Sequence, residues 1–248
     1  MATTGVHIPI LSTHREEEIN GYVRDVIQAI PADTARSIED CAQSLSNLLE
    51  INPGLRNILL KNMDPPLLPH HIIILAEALS VLKSPVITGV DLTGTRLDNP
   101  ENLAAVRQLI KKAPHLEHLT LDFTDLNLEG IIELLTEIAD SAAPRIKTFK
   151  CCNAQFKGLD SAKVDNLKEY IHRSKVFTFE TSGTIFSNEF QEAADTNKRM
   201  AEQAARPALI PPMAPAYSEI QANGRGTFSV AATPQEASAP RRKWCCWK

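Results

Sequence analysis

The sequence predicts an α/β solenoid: parallel strands lining a concave face, helices on the convex face, a helical N-terminal cap and a disordered C-terminal tail. Three observations carry this prediction. A short apolar pattern returns at a nearly constant interval; each copy is followed by an apolar stripe at helical spacing; and the residues before Leu55 and after Ala205 lack the pattern altogether.

The recurring unit has apolar residues at positions 1, 4, 6 and 11 of a window. Ile87, Val90, Leu92 and Leu97 fill it, then Leu116, Leu119, Leu121 and Leu126, then Ile146, Phe149, Cys151 and Phe156. A weaker copy follows at Val176, Phe179, Thr181 and Phe186, and a degenerate earlier one begins at Leu55, Ile58 and Leu60. The four full windows start 29, 30 and 30 residues apart. Alternation such as Val90/Leu92 or Leu119/Leu121 is the period of a short strand.

The helical stripes between the strands are Leu103, Val106, Leu109, Ile110; then Ile131, Leu134, Leu135, Ile138; then Val164, Leu167, Tyr170, Ile171. Asn99-Pro100-Glu101 reads as a cap, a proline at the first helical position and an early acid, while Pro114 and Pro144 close the helices ahead of the next strands. Strand–helix–strand succession at a constant short period requires a parallel sheet and curves the stack into an arc.

Ahead of the repeats, in 1–54, two helices are predicted as a cap. Ile19, Tyr22, Val23, Val26, Ile27 and Ile30 form one, stopped by Pro31. Asp33 caps the second, with Ile38, Cys41, Leu45, Leu48 and Leu49, ended by Asn52-Pro53-Gly54. The repeats with a terminal helix from Asn188 to Ala205 occupy 55–205. The longest apolar run, Ile72–Leu75, reads as part of an amphipathic helix. From 206 to 248 the chain is rich in Pro, Ala, Ser, Gln and Gly and reads as a disordered tether.

Composition narrows the class. With 248 residues, 43% of them hydrophobic, the chain can bury a sizeable core. Its net charge of −4 gives no reason to expect nucleic acid as a partner. Six basic residues against two acidic ones from Arg206 onward contrast with an acidic body. Met1–Glu16 shows no basic start and no apolar stretch of a secretory leader, and no run approaches the ~18 apolar residues of a membrane span. The five cysteines are Cys41 and the pairs Cys151–Cys152 and Cys245–Cys246; the odd count and the adjacent pairs speak against a disulfide framework and for a reducing, cytoplasmic setting.

Counting from the template, three rows of side chains face the concave surface: Gly89, His118, Thr148, Thr178; Asp91, Thr120, Lys150, Glu180; and Thr93, Asp122, Cys152, Ser182. Of these, Asp91, Thr93, His118, Thr120, Asp122, Thr148, Lys150, Cys152 and Glu180 are the candidate partner-binding residues. The mixed polar rows lack Trp, Tyr and Arg.

Catalysis is not expected, and neither is a cofactor or a metal. His70-His71 stands at a helix start. His115 and His118 flank a strand entry, where the His-x-x-His spacing sends the two side chains to opposite faces. A thiol nucleophile would need Cys152 near His118 on adjacent strands. The simpler reading has Cys151 filling a core slot with Cys152 as its exposed neighbour. Phosphate loops, paired-cysteine zinc spacings and nucleophile elbows are missing from the sequence.

The tip of the tether, Arg241-Arg242-Lys243-Trp244-Cys245-Cys246-Trp247-Lys248, joins basic residues, two tryptophans and two thiols. Lys and Arg gain about 1 kcal/mol each near an anionic lipid surface. Tryptophan prefers the interface. An acyl or prenyl chain adds about 0.8 kcal/mol per buried methylene. Arg241, Arg242, Lys243, Trp244 and Trp247 are therefore candidate membrane contacts, and Cys245 and Cys246 candidate lipidation sites.

The repeat windows and their length resemble the ribonuclease-inhibitor subtype of leucine-rich repeats, over roughly 55–205. That resemblance implies protein binding on the concave face. The family places Asn or Cys two residues before the last template leucine; here Thr95, Thr124, Ala154 and Thr184 stand there. A threonine hydroxyl serves the same turn, and Asn153 is expected to substitute beside Ala154. The layout also resembles leucine-rich-repeat effectors that intracellular bacteria inject into host cells, and the Cys-Cys ending resembles the termini of geranylgeranylated small GTPases, although Lys248 departs from the usual prenylation box. With the terminal helix the repeats are similar to the repeat domain of tropomodulins, implying actin-filament binding as the rival reading.

Overall fold

The apolar windows fold as three-residue strands whose middle side chain is buried, each followed by a helix that covers it. The computed structural model describes residues 16–30, 38–82, 87–141, 146–154, 156, 159–182 and 184–205. Two helices come first, α1 (Glu16–Gln28) and α2 (Ile38–Glu50). Strands and helices then alternate: β1 (Asn57–Leu59), α3 (Pro69–Val81), β2 (Gly89–Asp91), α4 (Pro100–Lys112), β3 (His118–Thr120), α5 (Leu128–Asp140), β4 (Thr148–Lys150), α6 (Ser161–Ser174), β5 (Thr178–Glu180) and α7 (Ser187–Ala205).

The five strands form one parallel sheet in chain order, β1-β2-β3-β4-β5. Ile58, Val90, Leu119, Phe149 and Phe179 lie in register and are essentially inaccessible to solvent. The degenerate window at Leu55 is thus a full member of the sheet. Backbone pairing continues past each strand, from Leu60 N–H to the Asp91 carbonyl (2.8 Å), Leu92 to Thr120 (2.9 Å), Leu121 to Lys150 (2.7 Å) and Cys151 to Glu180 (2.9 Å).

The turns after β1 to β4 place residues in the left-handed region, at Asn62 (φ 51°), Gly94 (81°), Phe123 (55°) with Asp125 (54°), and Asn153 (61°). Asn and Gly suit that conformation and Phe does not. A Cβ at Gly94 would also stand 2.7 Å from Asn62 Oδ1. Of the threonines expected to serve the turns, buried Thr124 donates from Oγ1 to the Leu121 carbonyl (2.8 Å), and Thr184 Oγ1 accepts from Phe186 N–H (3.3 Å). Asn153, beside Ala154, takes the left-handed conformation with an exposed side chain, and its backbone N–H donates to Ser182 Oγ (3.3 Å).

Helices begin on side-chain caps: Asn99 Oδ1 accepts from Glu101 N–H (2.9 Å), Asn127 Oδ1 from Gly130 N–H (2.8 Å) and Asp160 Oδ1 from Lys163 N–H (2.9 Å). At α3 the capping group is His71, whose Nδ1 accepts from Leu68 N–H (3.2 Å) while Nε2 meets the Ile30 carbonyl at 3.0 Å. Only a neutral ring with its proton on Nε2 satisfies both bonds. Burial lowers the His71 pKa from 6.5, against an opposing pull from the Ile30 carbonyl.

The helix carrying Ile72–Leu75 is not amphipathic. Packed against both α2 and α4, it buries His71, Ile72, Ile74, Leu75, Ala76, Ala78 and Leu79, so apolar residues occupy most of its circumference. The cap expected at Asp33 lies outside the described residues; α2 is described from Ile38.

Helices at either end close the sheet. Asn20 of α1, 1% exposed, donates from Nδ2 to the Asn57 carbonyl (3.0 Å) and accepts Leu59 N–H on Oδ1 (2.8 Å). At β5, Gln191 of α7 accepts Phe179 N–H (3.3 Å), and buried Asn197 donates to the carbonyls of Ile171 (2.8 Å) and Val176 (3.0 Å). Unpaired strand edges invite association with other chains, and the amides of Asn20 and Gln191 engage groups along these two. Phe190 of α7 completes the aromatic end of the core, edge-on to Phe179, which stacks on Phe149 at 5.6 Å.

From α3 onward, ion pairs tie each helix to the next: Glu77–Lys112, Arg107–Glu133 and Arg107–Glu137, Asp140–Arg173, and Lys168–Glu189. Where both partners are exposed, such a pair contributes on the order of 0–1 kcal/mol, so apolar burial holds the stack together.

The chain divides into a unit spanning Met1–Pro207 and a segment Ala208–Lys248. The expected tether, its basic and tryptophan residues and both candidate lipidation cysteines lie outside the described residues. No helix among the described residues is long and apolar enough to cross a membrane.

Candidate functional site

Between the buried centres of the strands, the alternate side chains point to the other face of the sheet. The strand register aligns Asn57, Gly89, His118, Thr148 and Thr178 as one row and Leu59, Asp91, Thr120, Lys150 and Glu180 as the next. A third row continues along Thr93, Asp122, Cys152 and Ser182. There Gly94 N–H donates to the Asp122 carbonyl (2.9 Å) and Phe123 N–H to that of Cys152 (3.0 Å). The rows counted in the sequence are therefore neighbours in space.

Their accessibility is uneven. His118 is exposed; Asp91, Thr93, Thr120, Asp122, Thr148, Lys150, Cys152 and Glu180 are half-buried. Gly89, expected at the surface, is buried because the Asn57 side chain lies over it, 2.1 Å from where a Cβ would stand. The first unit's asparagine thus roofs the second unit's glycine.

Most polar groups on this face are tied to each other. Asp91 Oδ1 accepts from both Thr93 N–H (2.9 Å) and Thr93 Oγ1 (2.5 Å). Lys150 pairs with Glu180 at 2.7 Å, and the Glu180 hydrogen bond and charge raise the Lys150 pKa above its ordinary value. Asp122 Oδ1 accepts the Cys152 N–H at 2.6 Å.

This register separates the pair on which a thiol nucleophile would depend. His118 lies opposite Thr148, and Cys152 is four residues farther along, roughly 13 Å at the rise of a strand. The neighbour of Cys152 is Asp122. Burial raises the Cys152 pKa and the Asp122 carboxylate raises it further, with a hydrogen bond to Ser182 opposing them. The thiol is held protonated, the reverse of what nucleophilic attack needs. Cys151 fills the core slot read from the template; full burial pushes its thiol well up.

Among the described residues, no group of three His, Cys, Asp or Glu side chains is arranged to hold a metal ion. His115 and His118 are both exposed, and His71 of the adjacent pair is engaged in the α3 cap.

No protein-family model matches the chain, and no curated protein matches it. The residues alone carry the assignment.

One exposed residue on this rim escaped the sequence reading. Phe123, 63% exposed, follows Asp122 at the left-handed turn position. The template treats that position as a variable turn residue, so only its φ and exposure, which the sequence does not display, single it out.

Proposed function

We propose that the chain is a non-catalytic protein–protein interaction module built of ribonuclease-inhibitor-type leucine-rich repeats. It binds a protein partner on the concave, strand-lined face through Asp91, Thr93, His118, Thr120, Asp122, Thr148, Lys150, Cys152 and Glu180. The observation that carries this reading is the alignment of those side chains in three adjoining rows on the sheet face turned away from the buried strand centres. Rigid strands hold such rows in fixed positions, as recognition by preformed surfaces requires. The protonated Cys152 thiol and its distance from His118 favour binding over hydrolysis.

In the same reading the basic, tryptophan-bearing tip holds the module at the cytosolic face of a membrane, with Cys245 or Cys246 lipidated, and the layout is that of a bacterial effector acting inside a host cell. The support is the residues of the tip themselves.

Two experiments test this. Affinity capture with the full chain and with a Thr120→Arg/Thr148→Arg variant should recover a common set of proteins only with the unaltered face; identical recovery would end the face assignment. Fractionation of cells expressing the chain with and without Trp244–Lys248 should move the truncated form to the soluble pool, and equal partitioning would end the anchoring.

The rival reading, tropomodulin-like actin binding, draws on α7 packing after the last strand through Phe190 and Asn197. A pointed-end elongation assay separates it, since the repeat module proposed above leaves elongation unchanged.

A further inference from the structure

We propose that His70 and His71 form an acid-sensitive latch between the end of α1 and the start of α3, through which a fall in pH loosens α1 from the outer edge of β1 while the later repeats stay folded. The latch is built on one carbonyl. Ile30, whose N–H still bonds the Ile27 carbonyl, ends the first helix, and no basic side chain stands in the last turn there. Both imidazoles converge on its oxygen: His71 Nε2 donates at 3.0 Å and His70 Nε2 stands at 3.4 Å. The two rings lie 4.0 Å apart between centroids. With Nδ1 accepting the Leu68 N–H, the His71 ring bridges the ends of two helices.

A second proton fits this ring poorly. It would set an N–H on Nδ1 against the Leu68 N–H, donor facing donor. It would also put a cation at the positive end of α3, whose first turn carries no acid, whereas α1, α2, α4, α5 and α7 each begin with one. The negative end of α1 pulls the other way by a similar amount. The two helix ends therefore offset, and burial of the ring with loss of its acceptor decides the sign. The surrounding elements carry Arg24 and Asp25 on α1, Glu39 and Asp40 on α2, Lys61 and Asp64 between β1 and α3, and Glu101 on α4. Among the described residues, however, the one charge that acts on His71 is that of His70. A charged His71 is relieved by turning out of its place, and turning out gives up the Ile30 carbonyl.

The latch holds the cover of a strand edge. Besides it, α1 is seated by buried Ile19, Val23 and Ile27, by the Asn20 amide on Asn57 and Leu59, and by Gln28 Nε2 donating to the Asp64 carbonyl at 2.9 Å. Imidazole is the side chain whose ordinary pKa falls between pH 5.5 and 7.5. Unseating α1 bares the Asn57 carbonyl and the Leu59 N–H, the pairing groups of an open edge.

Hydrogen–deuterium exchange of the full chain at pH 7.5 and 5.5, corrected for intrinsic rates, tests the latch. Protection within α1 should fall about three- to tenfold more than in β3, β4 and β5; about tenfold is the ceiling for one histidine whose pKa in the open state is the ordinary ~6.5. His71→Gln keeps an oxygen for the Leu68 N–H and an amide for Ile30, and should abolish the difference. Equal loss along the chain, no loss in α1, or the same loss in His71→Gln would each overturn the proposal. If His71→Gln unseats α1 already at pH 7.5, an NMR titration of the unaltered chain decides: the α1 amide shifts should follow the His71 ring protons, and shifts that follow another histidine, or none, would overturn it.

Discussion

The side chain of Asn20 stands in for a missing strand beside Leu59, taking the Leu59 N–H on Oδ1 at 2.8 Å while its Nδ2 reaches the Asn57 carbonyl at 3.0 Å. One amide thereby satisfies two backbone groups on the outer side of β1.

Replacing Asn20 with Ala should cost about 1–3 kcal/mol, because two part-buried backbone groups lose their partner. Asn20→Asp should cost at least as much: it keeps an acceptor for Leu59, loses the donor to Asn57 and buries a charge. Urea denaturation monitored by circular dichroism measures both, and unchanged midpoints would show that the amide does not close the edge.

Gly94→Ala should destabilise by about 1–2 kcal/mol. The left-handed φ penalises any Cβ, and this one would meet Asn62 Oδ1 at 2.7 Å. Phe123→Gly should move the other way, by about 1 kcal/mol, since it relieves the same strain where no core contact is lost. Thermal melts of the two variants should therefore shift in opposite directions.

His71 should make stability depend on mild acidity. Its folded pKa lies below 6.5, the unfolded value, because burial disfavours the charged ring. As pH falls through 6.5 the unfolded chain takes up a proton that the folded chain refuses, so stability falls with pH until the lower folded pKa is passed. Protonation of Nδ1 also removes the acceptor for Leu68 N–H. The urea midpoint should drop between pH 7.5 and pH 5.5, and more for the unaltered chain than for His71→Gln; parallel drops would remove the histidine from the account.

Cys152 should alkylate slowly at neutral pH, and Asp122→Asn should quicken it. The substitution removes a negative charge that holds the thiol protonated, and Asn retains an oxygen for the Cys152 N–H. Iodoacetamide rates followed by peptide mass spectrometry against pH give the comparison; a rate unchanged by Asp122→Asn would mean the carboxylate does not govern the thiol. Cys151 should react only on unfolding.

Much of the fold was legible because its determinant is periodic. Leu116, Leu119, Leu121 and Leu126 announce a strand and a turn by spacing alone, and even the degenerate Leu55, Ile58 and Leu60 hold the first place in the sheet. The rows of the candidate face follow by counting once the strands are parallel and unshifted. What spacing does not encode is contact between distant segments. Nothing in Asn20 or Gln191 marks them as edge closures, and Asn57 covering Gly89 depends on two units meeting. The apolar run in α3 misled for a related reason: a helix wedged between two others has little polar side to show. Proximity of Cys152 to His118 failed because adjacency of strands says nothing of displacement along them.

The unshifted register of His118 with Gly89 on one side and Thr148 on the other makes the middle of this molecule modular. Excising 118–147 would bring Thr148 to the place His118 now occupies, with both terminal helices still seated on the strands they seal. A duplicated block would be accommodated in the same way. Reach, and with it the number of side chains offered to a partner, is thus a quantity that this architecture can change in whole steps without redesigning its ends.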